Sequence, residues 1–287
     1  MQCKSVLAFI LILGFQLSIC YAQSPATDRF FIKIYGGYGI LTPGSYKGNS
    51  TTSNYENFSA GKSGAGAGLH YGAGIGFVAN DFLNIGIDAE LLRGKLRSST
   101  SSKDAYTYSL FRQTINYSVT NIIPNITFKA LSKPGYYIYT RVGLILAIST
   151  KVKFTNFDSS YSEGSGAVSI TNGKENYYFK VNAGIQTSVG VQFNITSRLR
   201  GFGEMVGYIL PASPVNSKQQ YLNTSYGPTF SSYTTVNNYD YTYKRYGSYS
   251  AVSTLNSTGG QDISSNRPSI TQNINYIGVN LGIVFRF

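Results

Sequence analysis

The carboxyl-terminal segment of the chain alternates apolar and mixed residues from Tyr276 to the last residue, Phe287. In an extended strand, successive side chains point to opposite faces, so alternate residues share one face. Here one face is entirely apolar and comprises Ile277, Val279, Leu281, Ile283, Phe285 and Phe287. This unbroken apolar face predicts a strand that borders an apolar medium on one side.

Seven other segments alternate in the same way and predict further strands. With the terminal segment they cover residues 29–41, 67–79, 82–96, 114–131, 136–150, 175–193, 198–210 and 270–287. The connections 79–81, 132–135 and 194–197 are short and made of turn residues, whereas the others are long and polar. This pattern predicts an all-β fold, an eight-stranded antiparallel transmembrane β-barrel with up-and-down meander topology and long extracellular loops.

The outward face of the predicted strands carries no charge, which suits contact with lipid. Aromatic residues on that face gather near the short-turn ends, and they predict a girdle at the periplasmic interface. The girdle residues are Phe30, Phe77, Phe128, Tyr136, Phe193, Phe285 and Phe287. Tyr38, Tyr71 and Tyr177 are candidates for a second girdle at the outer interface.

The inward face carries the charged residues of the strands. The predicted lumen charge network comprises Lys33, His70, Asp88, Glu90, Lys129, Arg141, Arg200, Glu204 and Arg286, and Lys180 shares their parity. An eight-stranded barrel is just wide enough for side chains to fill it. Because a lone buried charge is costly, we expect the acids of this set to pair with its bases.

The amino terminus predicts export. Residues 1–22 contain Lys4, an apolar run too short to span a membrane, and a small residue at Ala22, which is typical of a cleaved signal peptide. The alternative is a lipoprotein signal acylated at Cys20. Both cysteines, Cys3 and Cys20, lie in this leader, so residues 23–287, the predicted barrel domain, contain no thiol for a disulfide or a metal.

Composition agrees with this class. The chain has 25 Tyr and 17 Phe but only 13% charged residues, as expected for a barrel that is apolar outside and polar inside. Its formal net charge is +12, which in a cytoplasmic protein would suggest nucleic acid as a partner. Export makes nucleic acid an unsuitable partner. The phosphates of lipopolysaccharide, or simple solvation of the surface, are better explanations of the charge.

With its signal peptide, eight alternating segments, inward charges and terminal Phe287, the chain resembles the small eight-stranded outer-membrane barrels. It is similar to the OmpA-type transmembrane domain and particularly to barrel proteins of Bacteroidota, over residues 29–287. The resemblance implies a place in the outer membrane of a Gram-negative cell envelope. It also implies an assembly machinery that recognises the carboxyl-terminal strand. Members have diverse roles, so the resemblance transfers little function.

His70 is the only histidine and is expected to face Glu90 if the second hairpin folds about Asn80. A His–carboxylate pair can act as a general base, but membership of an interior polar network is the favoured interpretation. A single histidine and no mature cysteine argue against a transition-metal site, and no cofactor is predicted. Gly72, Gly74 and Gly76 are expected to give room to long side chains from other strands.

The segment 211–269 is unusually rich in tyrosine among Ser, Thr, Asn and Gly, a mixture that makes good contact surfaces. The candidate loop binding surface comprises Tyr239, Tyr241, Tyr243, Lys244, Arg245 and Tyr246. The alternative is a solvated loop without a partner.

Three functions follow from these features. The preferred one is a non-enzymatic outer-membrane barrel with a structural or surface-interaction role, whose loops contact an extracellular or envelope partner. The second is a small porin-like channel for ions or solutes. The third, which no motif supports, is a membrane-embedded enzyme such as a lipid acyltransferase or a protease.

Overall fold

The computed structural model describes residues 29–41, 66–103, 106–133, 135–228, 230–244, 251–268 and 272–287. The expected signal peptide, residues 1–22, lies outside the described residues. Within the described ranges, no helix is long and apolar enough to cross a membrane.

Thirteen strands form one sheet in the described part of the chain. They are β1 Phe30–Leu41, β2 Gly68–Val78, β3 Leu83–Lys103, β4 Thr107–Ser132, β5 Tyr136–Ser162, β6 Ala167–Phe179, β7 Asn182–Asn194, β8 Leu199–Ala212, β9 Pro214–Gly227, β10 Phe230–Lys244, β11 Ala251–Leu255, β12 Gln261–Pro268 and β13 Gln272–Arg286.

Eight of these strands pair in a closed circuit. The order is β1–β2–β3–β4–β5–β7–β8–β13, and β13 pairs with β1 again. All of these pairings are antiparallel. Every strand of the circuit therefore has a neighbour on both sides, which removes the open edges that a sheet would otherwise present.

The other five strands continue the sheet beyond one end of the circuit. β5 pairs with β7 as far as Ala147, and from Lys151 onward it pairs with β6 instead. β6 then pairs with β9, β9 with β10, β10 with β12 in parallel, and β12 with β11. We call residues 151–162 of β5, together with β6, β9, β10, β11 and β12, the upper sheet.

The upper sheet corrects several sequence-based boundaries. The segment 175–193, expected to be one strand, is divided between β6 and β7. Lys180, expected to face the lumen, lies in the break and is exposed, and its carbonyl accepts a hydrogen bond from Asn182 Nδ2 at 2.7 Å. In the described parts of the connections 97–113, 151–174 and 211–269, the segments expected to be long loops are largely strands. Their Tyr, Thr and Val residues favour extended structure without forming an apolar face.

A β-bulge in β5 lies where that strand exchanges partners. Thr120 pairs with Ser149 and Asn121 pairs with Ala147, so Ile148 has no opposite residue on β4. Below the bulge the odd-numbered side chains of β5 are buried, and above it the even-numbered side chains are buried. A bulge adds one residue to one strand and thereby re-aims the residues that follow.

The interior of the circuit is filled, and its exterior is apolar. Large interior side chains such as Tyr208, Tyr276 and Ile145 are at most 1% exposed. Exterior side chains such as Ile34 and Leu281 are 52% and 66% exposed, respectively. A continuous exposed apolar belt of this kind indicates an apolar environment around the circuit.

Candidate functional site

Arg141 of β5 is the centre of a buried cluster inside the circuit. Its Nη1 donates to Asp88 Oδ2 at 2.7 Å, and its Nη2 donates to Glu204. Its Nε donates to Ser188 Oγ at 3.3 Å. Because the guanidinium is a planar fork with several donors, one arginine can hold carboxylates from two strands, here β3 and β8.

A second cation balances the two carboxylates. Lys33 Nζ of β1 lies 2.7 Å from the same Asp88 oxygen that Arg141 contacts. The side chains of Lys33 and Asp88 are 9% and 0% exposed, so this ion pair is removed from solvent. Two cations and two carboxylates in contact leave the cluster without net charge, which limits the cost of burying it.

Glu204 also connects the cluster to other strands. Its Oε2 accepts hydrogen bonds from Tyr139 Oη at 2.9 Å and from Ser188 Oγ at 3.0 Å. Its Oε1 accepts from Asn280 Nδ2 at 3.0 Å. The carboxylate therefore accepts hydrogen bonds from β5, β7 and β13, and the cluster connects strands around the circuit.

Neutral side chains donate the hydrogen bonds that Glu90 accepts in the described part of the chain. Glu90 accepts hydrogen bonds from Tyr35 Oη at 3.1 Å and from Gln186 Nε2 at 3.3 Å, and Asn121 Nδ2 lies 3.5 Å from its other oxygen. Among the described residues, no cation lies within salt-bridge distance of Glu90. The expected pairing of this acid with a base is therefore wrong.

His70 does not face Glu90. The β2–β3 ladder pairs His70 with Leu92 and Glu90 with Gly72, two residues away from the expected register. The reason is the turn, in which Asn80 Oδ1 accepts the Phe82 amide at 3.1 Å and the hairpin folds about residue 81. The histidine Nε2 contacts Asn280 Oδ1 instead of a carboxylate.

Three aromatic rings close the upper part of the lumen. The His70 ring stacks on Tyr276 with centroids 5.1 Å apart, and Tyr276 stacks on Tyr208 at 4.6 Å. All three residues are at most 1% exposed. Together with the charged cluster beneath them, these rings fill the circuit with side chains, as expected for its size.

The remaining cations of the predicted network lie in a different layer, near the short-turn end. Lys129 Nζ and the Arg200 guanidinium lie 5.4 and 5.8 Å from the centroid of the Tyr137 ring. Arg286 Nη2 donates to the Tyr137 hydroxyl at 3.5 Å. Thus Lys129 and Arg200 do not reach the acids with which they were expected to pair, because strand spacing fixes a residue's face but not its height in the barrel.

Gly72, Gly74 and Gly76 of β2 leave room for side chains from neighbouring strands. A Cβ on Gly74 would meet the Asp88 carboxylate and lie 2.9 Å from Lys33 Cε. A Cβ on Gly72 would lie 2.6 Å from the Tyr35 ring, and one on Gly76 would meet the Phe31 ring. The stripe of glycines therefore accommodates the charged cluster and its aromatic neighbours.

Replacing Gly74 with alanine is expected to destabilise the fold by about 1–3 kcal/mol, the usual cost of overpacking a filled interior. The added methyl group must displace Asp88 from its cations. The matched control is Gly164→Ala, because nothing lies within 4 Å of a Cβ at that position. Urea unfolding followed by electrophoretic mobility measures both variants, and equal midpoints would show that the lumen is loosely packed at Gly74.

The seven aromatic residues predicted as a girdle lie on the exterior at the short-turn end. Phe30 stacks on Phe287 at 6.3 Å and contacts Phe77 at 5.4 Å, and Phe285 stacks on Phe287 at 6.3 Å. Tyr136 pairs with Phe193 across β5 and β7. Phe128 is half-buried and lies opposite Leu83.

The candidates for the outer girdle are divided by the structure. Tyr38 and Tyr71 are 55% and 46% exposed on the exterior. Tyr177 instead packs against Phe154, with ring centroids 5.3 Å apart. It belongs to β6 of the upper sheet, so its expected position in the girdle is wrong.

Glu175 organises the aromatic face of the upper sheet. It accepts hydrogen bonds from Tyr177 Oη at 3.0 Å, from Asn156 Nδ2 at 2.8 Å and from Tyr221 Oη. Burial, together with the hydrogen bond to Glu175 and its charge, raises the pKa of Tyr221. Tyr239 continues this face at 5.7 Å from the Tyr221 ring. The cluster was missed because its residues come from four strands, β5, β6, β9 and β10.

The candidate loop surface is only partly described. Tyr239 is half-buried and stacks at 5.9 Å on Tyr241, which is 5% exposed. Tyr243 and Lys244 belong to β10, but their side chains lie outside those described. Arg245 and Tyr246 lie outside the described residues altogether. The two described tyrosines thus contribute to the aromatic face more than to an open surface.

The opposite face of the upper sheet is polar. A cavity on it is lined by residues that include Lys174, Lys218, Asp240 and Asp262. Hydrogen bonds from Asn238 and from Asn256 lower the pKa of Asp262, which is fully exposed. This face therefore presents both signs of charge to solvent.

Two side chains of the lumen that could take part in catalysis contact other interior residues. His70 contacts an amide, and Ser188 donates to a carboxylate that Arg141 already holds. In the described part of the chain, no group of three or more His, Cys, Asp or Glu residues is arranged to hold a metal. What the lumen residues do is fill the circuit and join its strands.

No protein-family model matches the chain, and no curated protein matches it in sequence. Among solved structures, the outer membrane protease OmpT from Escherichia coli aligns over 93% of this chain and 99% of that chain, with 8% identity and a TM-score of 0.27. A Pseudomonas aeruginosa FadL homologue aligns over 91% of each chain, with 8% identity and a TM-score of 0.18. The outer membrane channel DcaP of Acinetobacter baumannii aligns over 90% of this chain and 96% of that chain, with 10% identity and a TM-score of 0.12. Similarity at this level says nothing about what the chain binds or does.

Proposed function

We propose that the chain is an eight-stranded outer-membrane β-barrel protein that acts through its surface-exposed upper sheet rather than through a pore. The closed circuit would be the membrane-spanning part. Its exterior is a belt of exposed apolar residues, and the backbone of each strand is paired on both sides, as lipid requires. The short turns would face the periplasm and the upper sheet the cell exterior.

The observation that favours a surface role over a pore is that side chains fill the lumen. Arg141 of β5 bridges Asp88 of β3 and Glu204 of β8, and the buried rings of Tyr276 and Tyr208 stack on each other. An eight-stranded barrel has no width to spare beyond its own side chains. Solute passage would therefore require the cluster to break, which argues against the channel alternative.

The upper sheet supplies the surface on which a partner would bind. It contains five strands outside the circuit. One face of these strands is aromatic, and the other is polar and carries both signs of charge. Tyrosine contributes a large contact area at low entropy cost, and Asn, Gln and Lys side chains add directional contacts. We propose an extracellular or envelope partner, with the sugars and phosphates of lipopolysaccharide as the nearest candidates.

The test is to remove β9, β10, β11 and β12 without opening the circuit. Ala212 pairs with Gln272, so replacing residues 213–271 with a two-residue Gly-Ser turn joins β8 directly to β13. We expect this variant to fold, as judged by heat-modifiable electrophoretic mobility. We also expect it to lose binding to purified lipopolysaccharide and to lose any component that co-purifies with the intact protein from native membranes.

The matched control shortens a different projection. Ser98 pairs with Gln113, so replacing residues 99–112 with the same turn trims the β3–β4 hairpin and leaves β9–β12 in place. This control is expected to keep its partner. Large and steady conductance in planar bilayers, present in the intact protein and in both variants, would favour the channel and overturn the surface role.

A further inference from the structure

A band of basic residues begins where the apolar belt of the circuit ends. On β3 the exterior residues are apolar up to Leu91, and the next residue on the same face is Arg93, which is exposed. On β5, Ile148 is 53% exposed, and beyond the bulge the exposed face continues with Lys151 and Lys153. The change from apolar to basic residues is therefore abrupt on both strands.

Strand pairing brings the cations of β3 and β5 to the same part of this face. Ser118 of β4 lies opposite Arg93 on one side and opposite Lys151 on the other. Neighbouring strands lie about 4.8 Å apart, so the backbones that carry these two cations are roughly 10 Å apart. Asn116, two residues away on β4, lies opposite Lys153. Cations thus flank a strand that carries hydroxyl and amide side chains.

A cavity of about 420 Å³ lies among these side chains. Its lining includes Arg93, Lys151 and Lys153, and Asn176 and Tyr178 of β6 complete one side. Among the described residues that line it, none carries a carboxylate. The Tyr178 ring is 44% exposed, and this residue lies opposite Lys151. The cavity therefore offers three cations, an amide and an aromatic ring to one small group.

Protein carboxylates do not neutralise the cations of the cavity. In the described ranges, none of Arg93, Lys151 and Lys153 is in an ion pair. Along the row of paired residues that starts at Lys153, the first acid is Asp240 of β10, which lies opposite Lys218. The excess of positive charge is therefore concentrated on β3 and β5.

The cavity adjoins the outer edge of the apolar belt. Arg93 lies opposite Leu69 of β2, which is 63% exposed, and Leu69 lies opposite Tyr38 of β1. Tyr38 is one of the two candidates that remain for the outer aromatic girdle. Exposed tyrosines and basic residues beside an apolar surface are typical of the level at which lipid headgroups lie.

We propose that this cavity binds the phosphate of an anionic lipid whose acyl chains lie against the adjoining belt. Arg93, Lys151 and Lys153 supply the charge, and the arginine fork matches two oxygens of one phosphate. A lipid uses both the cations and the apolar surface next to them, whereas a soluble anion uses the cations alone. The lipid setting rests on the proposed function, and the site names one chemical group through which the upper sheet contacts the envelope.

Native mass spectrometry of the purified, folded protein in detergent tests the site. The protein is mixed with phosphatidic acid, or with phosphatidylcholine of the same acyl chains, and the fraction that retains lipid is measured. We expect saturable retention of phosphatidic acid in preference to phosphatidylcholine, whose headgroup has no net charge. Arg93→Gln and Lys151→Gln should each weaken the binding of phosphatidic acid by about fivefold, the usual contribution of one cation beside an anionic lipid.

Two variants serve as controls. Lys103→Gln removes an exposed cation from the same face of β3 but at the end of that strand, so it should bind phosphatidic acid as the intact protein does. Lys151→Arg keeps the charge and should keep the binding. All of these side chains are exposed, so the variants are expected to fold. If Arg93→Gln does not fold, Lys151→Gln decides the outcome.

Equal retention of the two lipids overturns the proposal, as does equal binding of phosphatidic acid by Lys151→Gln and the intact protein. Displacement of phosphatidic acid by an equal concentration of inorganic phosphate, or a preference for dextran sulfate, would assign the cavity to a soluble anion and overturn the lipid assignment. The variant lacking residues 213–271 keeps the three cations and should retain phosphatidic acid, which has no sugars for the missing strands to contact. Failure of this site and failure of the surface role are therefore distinguishable.

Discussion

Arg141→Leu is expected to lower the stability of the folded protein by about 3–5 kcal/mol, the usual cost of removing one partner from a buried ion pair. The substitution leaves Asp88 with Lys33 alone and leaves Glu204 without a cation in contact. It also removes the hydrogen bond that joins β5 to Ser188 of β7. Urea unfolding followed by electrophoretic mobility is a suitable measurement, because the chain has no tryptophan.

Two controls show whether the loss of stability depends on the position of the arginine. Lys218→Leu removes a cation that is exposed in β9, and it should change the free energy of unfolding by less than about 1 kcal/mol. Arg141→Lys keeps the charge but cannot bridge two carboxylates with the same geometry, so its midpoint should lie between the other two. Equal midpoints for Arg141→Leu and Lys218→Leu would refute the network.

Deletion of Phe287 is expected to reduce the amount of folded protein in membrane fractions several-fold. The Phe287 amide donates to the Phe30 carbonyl at 3.0 Å, and the Phe30 amide donates back at 3.2 Å. These hydrogen bonds extend the β1–β13 ladder that closes the circuit, and each contributes about 0.5–1.5 kcal/mol. The terminal ring is also the expected signal for the assembly machinery.

The same position offers a graded control. Phe287→Tyr keeps an aromatic ring next to Phe30 and Phe285, whereas Phe287→Lys keeps the backbone but places a charge on the exterior. Heat-modifiable protein in membrane fractions should fall in the order intact, Phe287→Tyr, Phe287→Lys. Normal assembly of the deletion variant would show that the terminal residue has no role in sorting or closure.

The strands of the circuit were predictable because their exterior face has to be apolar. The expected segment 67–79 corresponds to β2, Gly68–Val78, and the expected segment 29–41 to β1, Phe30–Leu41. The upper sheet was not predictable in this way. Strands such as β9 and β10 alternate polar residues with tyrosine, so hydrophobic periodicity does not distinguish them from a solvated loop.

The parity of the interior residues was predictable, but their partners were not. Alternation places Glu90 and Lys129 on the inward face, and the structure has both there. Which groups meet depends on turn geometry and on the stagger between strands, and neither appears in the spacing of residues along one strand. One residue in the β2–β3 turn was enough to place His70 opposite Leu92 instead of Glu90.

The bulge at Ile148 separates two parts of β5: odd-numbered residues face inward below it, and even-numbered residues are buried above it. Loss or gain of one residue below it would turn interior charges such as Arg141 toward the exterior of the circuit, since a one-residue slip exchanges the faces of a strand. The same change above it would alter only the upper sheet. The bulge therefore lets the upper sheet change in length without changing which residues of β5 face the interior of the circuit.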